Sequence, residues 1–153
     1  NLQNEELRTE NIAQMASKIA VFPALRNMLK LKQKEFVYKS KEQFGGCVLD
    51  GRDIGTKILP NANFKFFIDA SIEIRAKRRL LEKNISFLHE NDEKCMLQTL
   101  TKKMVERDNI DRNREASPML PAKDAFVIDT TSINSDQLLS IATKLIEGNL
   151  LSN

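Results

Sequence analysis

A chain of 153 residues with 41% apolar side chains can bury one good core, and reads as a single domain or a compact part of one. A net charge of +3 is too small to imply nucleic-acid binding by itself, and no apolar run approaches the ~20 residues that cross a membrane. Cys47 and Cys95 are far apart and unpatterned, with one histidine beside them, which points to reduced thiols in a cytoplasmic protein and argues against zinc.

Asn1 to Glu10 is polar and acidic and does not read as a signal peptide. Residues 10–20 read as a short helix with Ile12, Met15, Ala16 and Ile19 on its apolar side; Ser17 lies beyond that stripe. Pro23 suits the start of a second helix, expected from Ala24 to about Tyr38, with Leu25, Met28, Leu29, Lys32 and Phe36 spaced for one face and Arg26 off it. Taken alone, Ser17 and Arg26 read as solvated groups. Lys39 to Phe44 is expected to be a charged connecting loop, leading to a short buried strand at Cys47 to Leu49.

Phe64 to Ala70 is the best strand signal, aromatic and β-branched as a strand buried on both faces should be. Ser71 is a natural N-cap and Glu73 favours the first turn of a helix running to about Lys83. Strand followed by helix, repeated, is the pattern of a parallel sheet, so the fold class is α/β. On this helix Arg75, Lys77, Arg78 and Arg79 crowd together, either as a solvated basic face or as an anion site with Arg78 as the preferred contact. Asn84 to Asp92 breaks the pattern and places His89 in a loop, and Met96, Leu97, Leu100, Met104 and Val105 resume helical spacing. Ala125 to Thr130 is another strand. A closing helix starts near Asn134, with Gln137 placed for a capping box and Gly148 suited to its stop.

Two polar stretches carry the chemistry. Leu49-Asp50-Gly51-Arg52-Asp53-Ile54-Gly55-Thr56 sits just past the expected strand at Cys47 to Leu49, at the edge where open α/β sheets bind ligands. Its glycines permit a tight turn and a close approach, Arg52 offers a fork suited to phosphate, and Asp53 accepts from hydroxyls or amines. The alternative is a polar turn in which the Arg and Asp pair with each other. In the second stretch, Arg107, Asp111 and Arg114 share a helix face, among Glu106, Asp108, Arg112 and Glu115. This is either an exposed salt-bridge ladder or, since apolar residues are nearly absent from Arg107 to Ser117, a mobile flap over a charged ligand.

The string Asp50-Gly51-Arg52-Asp53-Ile54-Gly55-Thr56 resembles the signature of bacterial cytidylate kinases, which phosphorylate CMP and dCMP. Further strings fit the same family in the same order: Leu7-Arg8-Thr9 with Ala16-Ser17-Lys18, Phe22 to Arg26, Arg75 to Arg79, and Glu106 to Asp108 continuing through Asp111 to Arg114 and Pro118. The resemblance covers about Leu7 to Ile146 and implies a P-loop kinase-like three-layer α/β sandwich. It implies transfer of the terminal phosphoryl group of ATP, with magnesium, to CMP or dCMP by arginine charge stabilisation. By resemblance Ser17, Arg26 and Asp53 recognise the cytosine, and Arg52 and Arg114 hold the acceptor phosphate. Arg107 and Asp111 close down with the flap, Asp111 on the ribose, and Arg78 is a contact to the donor's phosphates. No residue of the chain is assigned to a metal.

The family's glycine-rich phosphate loop, ending in Gly-Lys, has no counterpart here, since Gly45-Gly46 and Gly51 to Gly55 lack the lysine and the spacing. The expectation is a fragment without the first strand, incomplete for catalysis by itself, from an enzyme monomeric when intact. Within it, residues 1–45 would form the CMP-binding helical side, 46–83 and 119–153 the core, and 84–118 a mobile lid. The alternative from another class is a non-catalytic nucleotide- or RNA-binding protein using the arginine clusters, although the phenylalanines fall in expected strands and helix stripes and not where bases would stack.

Overall fold

The computed structural model describes residues 10–19, 22–82, 89–113, 115 and 117–150. The chain divides at Gly51/Arg52 into two compact units. The first contains helices α1 (Glu10–Ile19) and α2 (Pro23–Phe44). Pro23 opens α2 where its missing donor is harmless, and Gly45 closes it in the left-handed region at φ 80°, its N–H donating to the Lys41 carbonyl. Lys39 to Phe44 is therefore helical and not the expected loop. Lysine, glutamate and glutamine are good helix formers, and Glu35 accepts from Lys39 at 2.6 Å one turn away.

Cys47 to Leu49 is not a strand, contrary to expectation, and Val48 is 98% exposed. An extended segment becomes a strand only by exchanging backbone hydrogen bonds with a neighbour, and among the described residues the one sheet is built without it.

In the second unit, a single π-helical turn (Ile54–Ile58) follows Arg52 and Asp53, with the Asp53 carbonyl accepting from Lys57 and Ile58. The sheet is a parallel pair, β1 (Phe66–Asp69) and β2 (Phe126–Asp129). Their sequences, Phe-Phe-Ile-Asp and Phe-Val-Ile-Asp, lie in register from Phe66 opposite Phe126 to Asp69 opposite Asp129, and the two phenylalanine rings stack at 5.6 Å.

Between the strands run α3 (Ile72–Glu82) and α4 (Glu90–Asn113). Ser71 caps α3 as its sequence predicts, its hydroxyl accepting from the Ile74 N–H at 3.4 Å. Ala76 and Leu80 of α3 meet Leu100 of α4, with Leu97 and Met104 packed alongside; Ala76 is fully buried, where a larger side chain would hold the helices apart.

α4 starts at Glu90, earlier than the predicted break through Asp92, with Glu90, Asp92 and Glu93 complementing the positive end of the helix dipole. Helix α5 (Ser135–Leu150) opens on the predicted capping box. Gln137 N–H donates to Asn134 Oδ1 and Asn134 N–H to Gln137 Oε1, both at 2.9 Å. It runs through Gly148 to Leu150, so that glycine does not stop it. No helix among the described residues is long and apolar enough to cross a membrane.

Candidate functional site

The charged residues converge at the carboxyl edge of the parallel strands. Side chains on a helix lean towards its amino end, so Arg75, near the start of α3, reaches back to the end of β1 and donates from Nε to the Ala70 carbonyl at 3.1 Å. Its Nη2 meets Asp108 Oδ2 of α4 at 2.5 Å. The other oxygen of Asp108 lies 3.5 Å from Arg52 Nη1, and the same Arg52 nitrogen bonds Asp111. Arg107 Nε stands 3.9 Å from Asp111 Oδ2, and Arg112 Nη2 lies 3.8 Å from Asp69 Oδ2 at the end of β1.

Asp108 and Asp111 are 7% and 4% exposed. Carboxylates so buried are tolerable only when paired, and guanidinium forks supply both charge and donors. α4 is thus packed at Asp108 and Asp111, contrary to what the lack of apolar residues there predicts. Ionic contacts do the anchoring that apolar contacts do further up α4. The chain beyond is tied in as well, the Met119 N–H donating to the Asp111 carbonyl at 2.8 Å.

Of the predicted site residues, Arg52, Arg107 and Asp111 are brought together. Asp53 is half-buried beside Arg52, at the entry to the π-helical turn. Arg78 is engaged elsewhere. It donates to the Thr130 hydroxyl at 3.1 Å and to the carbonyls of Thr130 and Ile133 at 2.5 and 2.9 Å, fastening α3 to the end of β2. Arg26 belongs to the first unit and is half-buried near the start of α2. Ser17 falls in α1; its side chain, like all of Arg114, lies outside the described residues.

The sequence marks Arg75 only as a member of a basic cluster in which Arg78 is the preferred contact, and Asp108 only as a neighbour of Arg107 and Asp111. The signal was present, since Arg75 follows the strand end within a turn and Asp108 lies three residues before Asp111, but spacing alone does not say which arginine of a cluster turns inward.

The glycine of the turn is used differently from the expectation of a close ligand approach. A Cβ on Gly55 would meet Lys65 Cδ at 3.3 Å, and the buried Lys65 crosses that position to pair with Asp124. A depression of about 400 Å³ near this pair, bordered by Pro60, Pro118 and Pro121, holds none of the predicted site residues. The convergence of charge, not this hollow, marks the candidate site.

The family description "Cytidylate kinase" matches residues 1–148. The chain belongs to the cytidylate kinase family. It is 39% identical over 137 residues to a cytidylate kinase of Erwinia tasmaniensis, covering 90% of this chain and 56% of that protein. It is 40% identical over 147 residues to a cytidylate kinase of Vibrio vulnificus, covering 96% of this chain and 61% of that protein. A cytidylate kinase of Shigella flexneri matches at 39% over 137 residues. The chain thus spans 56–61% of the length of these relatives. The parallel strands and their helices agree with the P-loop kinase-like α/β class expected of the family. The names of these relatives lend no support to the RNA-binding alternative.

Proposed function

We propose that the protein to which this chain belongs transfers the terminal phosphoryl group of ATP to CMP or dCMP, giving CDP or dCDP. The observation that carries the reading is the meeting of Arg52, Arg75 and Arg107 around Asp108 and Asp111 at the carboxyl edge of the strands, three cations against two buried anions. Phosphoryl transfer needs little covalent help from the protein. It needs alignment and positive charge where negative charge spreads over the transferred group. A site rich in arginine, with the single histidine at the far end of α4, suits that demand.

In this reading Arg52 and Arg114 hold the acceptor phosphate, while Arg107 and Asp111 engage as the segment 84–118 closes, Asp111 on the ribose hydroxyls. Ser17, Arg26 and Asp53 recognise the cytosine. Arg78 would reach the donor phosphates only by exchanging its bonds to Thr130 and Ile133. Magnesium would accompany ATP as phosphoryl donor.

The cytosine amine is a donor that a carboxylate can accept, whereas uracil presents an oxygen there. A coupled assay of the full-length protein with ATP and CMP, dCMP or UMP tests the reading. CMP and dCMP are turned over in preference to UMP, and Asp53→Ala narrows the gap in kcat/KM. Equal turnover of UMP and CMP by the unmodified protein, or a ratio unmoved by Asp53→Ala, would refute it.

A further inference from the structure

We propose that Arg75, acting through Asp108, is a positioning residue for Arg52 and Asp111. The inference rests on the proposed reading of Arg52 as the contact to the acceptor phosphate. An arginine that must meet a phosphate in one geometry needs its long side chain fixed beforehand, because each free rotamer lowers the population of the competent arrangement. The structure contains a chain of contacts that does this. It starts at a fixed point, the Ala70 carbonyl at the end of β1, which holds Arg75 Nε at 3.1 Å. Arg75 Nη2 then holds one oxygen of Asp108 at 2.5 Å, and the second oxygen faces Arg52 Nη1 at 3.5 Å.

Asp108 lies one turn before Asp111 on α4, so pinning Asp108 also fixes the rotation and height of Asp111, the nearest carboxylate partner of Arg52. Strand end, Arg75, Asp108 and Arg52 form a line from the backbone of the sheet to the proposed phosphate contact. Arg75 and Asp108 are both engaged with protein groups in this arrangement. Arg75 is closed on one side by a carbonyl and on the other by a carboxylate, and both oxygens of Asp108 point to arginines.

The experiment uses isosteric or near-isosteric changes, Asp108→Asn and Arg75→Gln, each of which leaves a hydrogen-bonding group in place. Lys102→Met, an exposed charge on the same helix α4, serves as the control. The first readout is ¹⁵N relaxation of the Arg52 guanidinium Nε without ligand. The expected result is a rigid Arg52 in the unmodified chain and the control, and a mobile Arg52 in Asp108→Asn and Arg75→Gln. The second is the ratio of CMP to cytidine affinity, which isolates the phosphate contact. It falls at least tenfold in the two variants while cytidine affinity holds, whereas a merely structural defect lowers both affinities together.

An Arg52 as rigid in both variants as in the unmodified chain overturns the proposal. If the unmodified protein binds CMP no better than cytidine, the reading of Arg52 as the phosphate contact fails. The relaxation comparison still decides whether Arg75 and Asp108 hold it. If Arg75→Gln does not fold, Asp108→Asn, which breaks the same link at its centre, decides alone.

Discussion

Replacing Arg52 with methionine removes the cation nearest to Asp111 while keeping much of the side-chain volume. Asp111 is 4% exposed, and Arg107, which also faces it, stands further off, at 3.9 Å on a side chain nearly half exposed. Removing one partner of a fully buried pair costs about 3–5 kcal/mol, because the other charge is left desolvated. Arg52 itself is a third exposed, so water shares in its solvation and the cost is discounted to roughly 2–3 kcal/mol. With a urea m-value of about 2 kcal/mol/M, the unfolding midpoint drops by roughly 1 M. Asp111→Asn removes the charge that Arg52 offsets, so Arg52→Met and Asp111→Asn together cost less than their sum, by about 1–2 kcal/mol in a double-mutant cycle. A single-variant loss below about 0.5 kcal/mol with no coupling would place the pair among ordinary surface salt bridges and refute its role as a buried anchor.

Asn134→Ala opens the capping box of α5 and lowers stability by about 1 kcal/mol, read by thermal unfolding; Gln137→Ala costs less, since it leaves the Asn134 bond to the Gln137 N–H. The hydrogen bond from Lys65 chiefly holds the Asp124 carboxyl below the ordinary aspartate value of 3.8. A carboxyl depressed in the folded state stabilises above its unfolded value and loses that contribution as pH falls through its folded one. Stability measured by denaturant titration therefore declines below about pH 3.8, and Asp124→Asn removes that part of the decline. In α4, amide exchange is slowest from Leu97 to Met104, beside the apolar core, and faster from Asp108 to Asn113. Asp108→Asn quickens the second group and leaves the first unchanged, and equal quickening of both would refute separate anchoring.

The sequence foretold most where local rules decide. The strand pair is legible because Phe-Phe-Ile-Asp and Phe-Val-Ile-Asp carry their preference in four residues each, and the Ser71 cap and the Asn134–Gln137 box because their partners lie three residues away. It misled where a segment's state depends on what lies beside it. Cys47 to Leu49 has strand composition but no strand beside it in the described sheet, and Lys39 to Phe44 looks like a connector until the Glu35–Lys39 pair and the Gly45 cap carry the helix through. At the site, residue types were readable and partners were not. Arg52, Arg107 and Asp111 stand out by motif and helical spacing, but which arginine of α3 turns towards them depends on the crossing of α3 and α4.

That crossing also explains why Arg75 and Arg78, one turn apart on the same helix, serve different ends. Both lean back towards the carboxyl edge of the strands, Arg75 over β1 and Arg78 over β2. The end of α4 lies by β1, where Arg112 stands 3.8 Å from Asp69, and its two buried carboxylates need cations, so Arg75 is drawn into the network while Arg78 bonds the Thr130 hydroxyl and the carbonyls of Thr130 and Ile133. The same logic distinguishes the two halves of α4. Leu97, Leu100 and Met104 hold by removing apolar area from water, whereas Asp108 and Asp111 hold by pairing with arginines. On the proposed phosphoryl-transfer reading, a helix built in this way joins a root held by apolar contacts to an end held by ion pairs, an arrangement suited to closure over a charged ligand.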